Sequence, residues 1–510
     1  MRPALVSLLL LAWLGVAVAQ DPATNQKPVE GGDDKPAEAK PEEPKEAPAY
    51  KLPEKERKKL KSHLQKYLYP PKGKTRQQLR QKFEAFVSKP VGGHSVLEDV
   101  DALMELANEA KLASVSKSGR KRTIELVSVS PDVHGFPGGI GTVKYWRYLP
   151  KNYSYKVLSP LIFCLPNNKL WSKGSDYIKE MWLRNPSIAD KYVIVAPVPP
   201  TKGAPWYQPK AYGMAMIALR HAAGNFEQTK KNGGPAVNIN RMFIDGGDVA
   251  AGVAARFAEL WTGAILHDAT GSGKGVPNLG SGGLNGIPAY CVCRKGKKQV
   301  KFAKRLTAGN VGSTSEVVEA DGKKVLGDVK KIRMWMEKQP RISQPRKIAY
   351  TIHDPSFQRH FWINVLDYDS SFRGKPSFAA EADRASNIVE IEPRGLLRFE
   401  VFLNDAIVDL NKDVTIVIID GEEEIQFFKG KVERNLALLL DELIESNHPW
   451  RVYTARLVID MPTLRAAQAK RKAAEAAEKK KAADKKKAAE GKDGGKKEEP
   501  SGGDTKGAPK

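Results

Sequence analysis

Residues 238–271 constrain the fold more than any other stretch, because strand and helix patterns alternate there around a double glycine. Residues 241–245 are a short run with an apolar centre, and the two glycines that follow can adopt backbone angles that other residues resist. Residues 249–261 carry apolar residues at helical spacing, and residues 263–267 form a second apolar run. The stretch therefore predicts a strand, a tight turn, a helix and a second strand.

The same alternation extends over residues 122–342. Apolar runs typical of buried strands lie at residues 158–165, 192–196 and 287–292, with helical patterns between and after them. Strands that alternate with helices at this spacing form a mostly parallel sheet with helices on both faces. We therefore predict an α/β domain over residues 122–342.

Composition divides the rest of the chain into five further segments. The start combines Arg2, an apolar run over residues 5–18 and the small-residue site Ala17-Val18-Ala19, which is the pattern of a cleaved secretory signal. The five predicted segments are a signal peptide (residues 1–19), a disordered Pro/Glu/Lys-rich stalk (20–50), a helical domain (53–112), a β-rich appendix with one helix (345–460) and a Lys/Ala/Glu-rich tail, disordered or partly helical (463–510).

The predicted signal makes the mature protein exported, whether periplasmic, secreted or at the cell surface. No later stretch is long and apolar enough to cross a bilayer, so we expect no transmembrane span after signal cleavage. Three cysteines, Cys164, Cys291 and Cys293, are too few for a disulfide scaffold in an exported chain. Their runs are strand-like, which favours packed strand residues over a redox or metal half-site.

The net charge of +24 favours anionic partners. Residues 464–510 hold fifteen Lys or Arg residues and eight Asp or Glu residues, which gives this tail a net charge of +7. The basic surface and tail could bind an anionic envelope polymer, or the chain could be a solvated basic protein. Basic residues without interleaved aromatic side chains do not predict specific nucleic-acid binding. The sequence predicts no metal site and no cofactor, because no ligand cluster has metal spacing and no phosphate-loop signature is complete.

The order of elements permits a comparison with a known family. A β pair leads into Tyr148-Leu149-Pro150, a buried strand, a helix, Val195-Ala196-Pro197, a second helix and the glycine turn. This order resembles exported bacterial α/β-hydrolases of the esterase and prolyl-oligopeptidase type, over about residues 124–337. The resemblance implies an α/β-hydrolase-like sheet with an oxyanion hole, a nucleophile in a G-x-S-x-G turn, an acid and a histidine.

All four catalytic elements depart from the family's pattern. The nucleophile position holds Asp248, and the oxyanion loop reads Pro166-Asn167-Asn168, in which proline has no N–H to donate. The acid position, residues 293–298, contains no carboxylate, and the histidine loop, residues 319–324, contains no histidine. Asn167 and Asn168 are the remaining oxyanion candidates. The resemblance thus implies a degenerate triad.

Three hypotheses follow from the sequence. The first, which the sequence favours, is a catalytically inactive hydrolase-like protein that acts by binding or as a scaffold. The second is an active esterase-like or peptidase-like hydrolase with displaced machinery or an aspartate nucleophile, in which His267, next to Asp268, would be the partner of Asp248. The third is a basic protein associated with the cell envelope. In the first hypothesis, the inactive hydrolase-like protein, Asp248 is a capping carboxylate at the start of a helix.

Overall fold

The structure is a computed structural model, and it describes residues 49–110, 115–117, 119–129, 141–167, 170–223, 234–272, 284, 286–295, 297–309, 312–318, 325–341, 344–352, 358–445 and 451–490. The predicted signal peptide, nearly all of the stalk, Asn168 and the loop 319–324 lie outside these residues. The chain divides into two compact units, Met1–Val458 and Ile459–Lys510.

Three helices open the described chain: α1 (Glu54–Leu68), α2 (Arg76–Val87) and α3 (Val100–Ala110). The third helix starts at Val100, after Ser95 and Glu98, which have the spacing of a capping box. Ser95 N donates to Glu98 Oε1 at 2.6 Å, as the capping-box pattern suggests, but this bond closes a turn before the helix. The helix itself starts after Asp99, whose Oδ1 accepts from Ala102 N at 3.0 Å.

Eight strands form the largest sheet, in the order β1-β2-β4-β3-β5-β6-β7-β8. The strands are β1 (Ile124–Val129), β2 (Val143–Tyr148), β3 (Ser159–Leu165), β4 (Val193–Pro197), β5 (Val237–Gly246), β6 (Gly263–His267), β7 (Ala289–Arg294) and β8 (Thr314–Val318). The pairs from β4 to β8 are parallel, and β1 and β2 join the sheet antiparallel. This sheet confirms the predicted α/β class.

Helices cover both faces of this sheet. They are α4 (Gly174–Tyr177) with a π-helical turn (Ile178–Trp182), α5 (Pro186–Ala189), α6 (Pro209–Ala223), α7 (Asp248–Arg256) with a 3-10 turn (Ala258–Leu260), α8 (Lys297–Gly309) and α9 (Val329–Lys338). Neighbouring residues of β3 point to opposite faces. Ile162 packs in a cluster with Trp182 and Trp335, whereas the Phe163 ring lies 6.2 Å from that of Trp261. Both faces are therefore apolar and buried.

The β-rich segment follows as two sheets and one helix. The four-stranded sheet has the order β10-β11-β14-β17 and the five-stranded sheet the order β16-β15-β13-β12-β9. The elements are β9 (Lys347–Thr351), β10 (Arg359–His360), β11 (Ile363–Tyr368), β12 (Ser377–Asp383), β13 (Ile388–Arg394), β14 (Leu396–Leu403), β15 (Val414–Asp420), β16 (Glu423–Gly430), α10 (Leu436–Glu445) and β17 (Ala455–Asp460). The second unit contains a long helix, α11 (Met461–Glu490).

The N-terminal helices share a core with α10. Leu60 of α1 and Phe83 of α2 lie in one buried cluster with Leu439 and Leu440 of α10. Helices separated by more than 300 residues of sequence therefore exclude water from each other. Among the described residues, no helix has the length and apolar content that a membrane crossing requires.

Candidate functional site

The parallel strands β3, β5, β6 and β7 end at one edge of the sheet, where open α/β sheets place their ligands. β5 ends in the segment Gly246–Gly247–Asp248, here called the elbow. Gly246 has a φ of +152°, and a Cβ at this position would collide with the carbonyl oxygen of Leu165. Only glycine fits this position, and its freedom of backbone angle allows the chain to turn sharply between β5 and α7.

Asp248 is the first residue of α7 and binds the loop after β6. Its Oδ1 accepts from Thr270 N at 2.7 Å and from Gly271 N at 2.8 Å, and its Oδ2 accepts from Thr270 Oγ1 at 3.0 Å. Gly247 occupies the N-cap position of α7, and glycine has no side chain that could cap the helix. Asp248 is therefore the first residue of the helix and not its N-cap. Its carboxylate binds the loop after β6 and not the N–H groups of its own helix.

Asp245, at the end of β5, is a fully buried carboxylate. Its Oδ2 accepts from Tyr177 Oη at 2.8 Å and from Trp182 Nε1 at 2.9 Å. Its Oδ1 lies 2.9 Å from His267 Nε2. These contacts compensate for the removal of the carboxylate from water, because buried charges are stable only when they are paired and hydrogen-bonded.

His267 therefore faces Asp245 and not Asp248. Among the described residues, no histidine nitrogen lies within 4.0 Å of an Asp248 carboxylate oxygen. The His267 side chain is 10% exposed, and its 2.9 Å approach to Asp245 is off the line that a hydrogen bond requires. Its Nδ1 is buried without a hydrogen-bond partner in the described structure. The neighbouring Asp268 pairs with Arg294, whose Nε lies 2.6 Å from Asp268 Oδ2.

Burial keeps the groups around Asp245 protonated. The pKa of Tyr177 is raised well above its ordinary value, first by burial and then by the charge of Asp245. The same two causes raise the pKa of the Cys164 thiol well above its ordinary value. Tyr177 therefore remains a hydrogen-bond donor at neutral pH. Cys164 is a poor nucleophile, since only a thiolate attacks efficiently.

The oxyanion region is only partly described. The carbonyl oxygen of Asn167 accepts from Leu170 N at 2.9 Å and from Trp171 N at 3.1 Å, which folds the loop after β3 back on itself. Pro166 contributes a carbonyl oxygen, which accepts from Trp206 Nε1 at 2.8 Å. Asn167 thus lies at the same edge as the elbow, and Asn168 lies outside the described residues.

A pocket in the described chain lies away from the elbow edge. That pocket has a volume of about 440 Å³ and lies near the starts of β3 and β4, at the opposite edge of the sheet. It is lined by Asn152, Leu158, Ser159, Pro160, Asp190, Lys191, Tyr192, Arg241 and Glu337. Across the described residues, no group of three His, Cys, Asp or Glu side chains is arranged to hold a metal ion, and the three cysteines are free and buried.

Sequence reasoning overlooked Asp245, Tyr177 and Trp182. The signal for Asp245 was present, because a carboxylate that ends an apolar central strand needs buried donors. Its donors could not be read from the sequence, since Tyr177 and Trp182 lie more than 60 residues away, on a helix that becomes π-helical.

No protein-family model matches the chain, and no curated protein matches its sequence. Solved structures share parts of its fold. A thermostable esterase is 15% identical over 43% of this chain and 63% of its own, with a TM-score of 0.30. An esterase from Rhizomucor miehei is 14% identical over 46% of this chain and 90% of its own, with a TM-score of 0.32. An S-formylglutathione hydrolase from Staphylococcus aureus is 12% identical over 43% of this chain and 96% of its own, with a TM-score of 0.28. No activity, substrate or partner follows from likenesses at these TM-scores.

Proposed function

We propose that the chain is an exported, hydrolase-like protein that acts by binding or as a scaffold and does not catalyse hydrolysis at the elbow. The observation that carries the proposal is the set of bonds to Asp248. A carboxylate nucleophile must direct one oxygen at the substrate carbon. Oδ1 of Asp248 instead accepts from the backbone N–H groups of Thr270 and Gly271, and the Thr270 hydroxyl lies 3.0 Å from Oδ2, so the loop after β6 holds the carboxylate.

The position of His267 supports the same proposal. Hydrolysis of an aspartyl ester needs a base within hydrogen-bond reach of the attacking water. The Nε2 atom of His267 is directed to Asp245, and its side chain is 90% buried. Among the described residues, the elbow therefore has a carboxylate held by the neighbouring loop and no histidine nitrogen within 4.0 Å of it.

An ester panel tests this proposal. Purified full chain should hydrolyse short-chain and aryl esters no faster than the buffer blank, and Asp248→Asn should leave that rate unchanged. Asp268→Asn is the matched control, because it makes the same change at the same edge in a residue that pairs with Arg294. Turnover that disappears in Asp248→Asn and persists in Asp268→Asn would establish an aspartate-based hydrolase.

A second candidate function has one observation in its favour. Asp245 Oδ1 lies 2.9 Å from Nε2 of His267, and Nδ1 is unpartnered in the described structure, so the carboxylate is close enough to orient this histidine as a general base. An active hydrolase with displaced machinery would use this pair. It predicts measurable ester turnover that His267→Gln abolishes and Asp248→Asn does not. The absence of turnover in the wild-type chain removes this candidate.

Export rests on the pattern of residues 1–19 and has its own test. Expression in a bacterial host followed by fractionation should place the mature chain outside the cytoplasm, with Gln20 as its N-terminal residue in mass spectrometry. Retention in the cytoplasm with residues 1–19 still attached would contradict this part of the proposal.

A further inference from the structure

The long helix α11 has no buried face over much of its length. Every residue from Ala469 to Lys485 is exposed. Residues 461–490 contain ten Lys or Arg residues and four Asp or Glu residues, a net charge of +6. At 1.5 Å per residue the helix is roughly 45 Å long. It is therefore an extended basic rod whose described surface is available to a partner.

The cations do not lie on one side of this rod. Arg471 and Lys480 are nine positions apart, which places them about 180° apart around the helix axis. Lys481 is one position beyond Lys480, about 100° further round, on a third side. A partner must therefore bend around the helix to reach cations on all its sides.

Several of these cations make no ion pair in the described part of the chain. Arg471 pairs with Glu475 at 3.0 Å. In the described part of the chain no carboxylate oxygen lies within 4.0 Å of the ammonium groups of four exposed lysines, Lys470, Lys479, Lys480 and Lys481. Their charge is available for a ligand. When these lysines neutralise a polyanion, the cations condensed on the polyanion are released, and this release favours binding.

We propose that α11 binds a flexible, linear anionic polysaccharide. A membrane surface is disfavoured, because an interfacial helix needs an apolar face opposite its basic face. Single-stranded nucleic acid is disfavoured, since residues 461–490 contain no aromatic side chain on which a base could stack. A rigid duplex would reach cations on one side only. A flexible polysaccharide with regularly spaced anionic groups can wrap around the helix and reach the cations on all its sides. This inference does not depend on whether the elbow is catalytic.

The test compares three versions of the full chain, with binding to alginate (carboxylate) and dextran sulfate (sulfate) measured by calorimetry. One variant changes Lys470, Lys479, Lys480, Lys481 and Lys485 to Gln, a good helix former, and the matched control changes the same five residues to Arg. The wild type and the Arg control should bind alike. The Gln variant should bind about tenfold more weakly or worse near 0.1 M salt, and its affinity should depend less on salt.

Three results would overturn the proposal. The Gln variant could bind as tightly as the wild type, or the Arg control could lose binding as well. Vesicles of phosphatidylglycerol and phosphatidylcholine, or an oligothymidylate, could bind α11 more tightly than either polysaccharide. Far-UV circular dichroism of all three chains checks that the helix persists, and the ester panel reports on the elbow separately.

Discussion

Two aspartates three positions apart, Asp245 and Asp248, have different roles at the end of β5. Asp245 is fully buried and accepts from Tyr177 and Trp182. Asp248 lies at the start of α7 and binds the backbone and hydroxyl of Thr270. The first fastens the π-helical segment to the sheet, and the second fastens the elbow to the next loop. Both carboxylates thus stabilise the edge at which an active hydrolase would carry its catalytic groups.

Removal of one donor to Asp245 should destabilise the fold. Tyr177→Phe deletes a hydroxyl that donates to a buried carboxylate at 2.8 Å, so we expect a loss of roughly 1–3 kcal/mol in the free energy of unfolding. Tyr207→Phe is the control, because Tyr207 is 39% exposed and should change by less than about 0.5 kcal/mol. Urea denaturation measures both. Equal stability of the two variants would show that the Tyr177 bond contributes nothing.

His360 makes stability sensitive to acid. Its ring is buried and stacks on Tyr350 at 4.7 Å, and burial lowers its pKa from 6.5 to about 4, against the opposing charge of Glu259. The unfolded chain binds the proton more readily between these two pH values. The stabilisation is therefore complete above about pH 6.5 and is lost as the pH falls towards about 4, by roughly 3 kcal/mol in total.

His360→Phe tests this pH dependence, since phenylalanine keeps a ring against Tyr350 and cannot be protonated. Denaturation series from pH 7 to pH 4 should show a smaller loss of stability in the variant than in the wild type. Parallel losses in the two proteins would mean that other groups cause the acid sensitivity.

At the scale of elements, the buried cluster that joins α1, α2 and α10 couples distant parts of the chain. Leu440→Ala removes a fully buried side chain from it and should cost about 2–5 kcal/mol. Leu366→Ala, at a position 38% exposed, is the control and should cost far less. Limited proteolysis of Leu440→Ala should cut faster within residues 54–87, which are distant in sequence. Unchanged cleavage there would show that the cluster does not couple these helices.

The alternation of apolar runs was enough to predict the parallel sheet and its class, because strands buried on both faces are apolar throughout. β3 illustrates this with Leu161 to Leu165, all buried. The half-exposed strands were harder. β12 reads Ser-Phe-Ala-Ala-Glu-Ala-Asp, and its alanines and acidic residues have low strand propensity, so its sequence does not predict a strand.

Only the backbone of the candidate site could be predicted from the sequence. The double glycine marked the elbow, and helical spacing marked α7, because both signals are local. His267 lies beside Asp245 and not beside Asp248, the partner in the aspartate-nucleophile hypothesis, because both aspartates are near the end of β5 and side-chain direction decides between them. Residues within a strand alternate in direction, but residues beyond a glycine turn follow no such period.

At the scale of the whole molecule, charge is distributed between two units. Deletion of residues 469–510 removes fourteen Lys or Arg residues and eight Asp or Glu residues, a net charge of +6. Every described side chain in this stretch is exposed, so the remaining chain should unfold with a free energy within about 0.5 kcal/mol of the full chain. The truncated protein should leave a cation exchanger at lower salt. A stability loss well beyond that range would mean that the tail supports the rest of the fold.

Asp248 is a structural residue in the proposed function, and a double-mutant cycle tests this role directly. Asp248→Ala, Thr270→Val and the double variant are unfolded in urea, and the coupling free energy is taken from the four stabilities. Because Thr270 Oγ1 lies 3.0 Å from Asp248 Oδ2, we expect a coupling of about 1 kcal/mol, with no change in ester hydrolysis. A coupling of zero, together with ester turnover that Asp248→Ala abolishes, would contradict the account and assign Asp248 to catalysis.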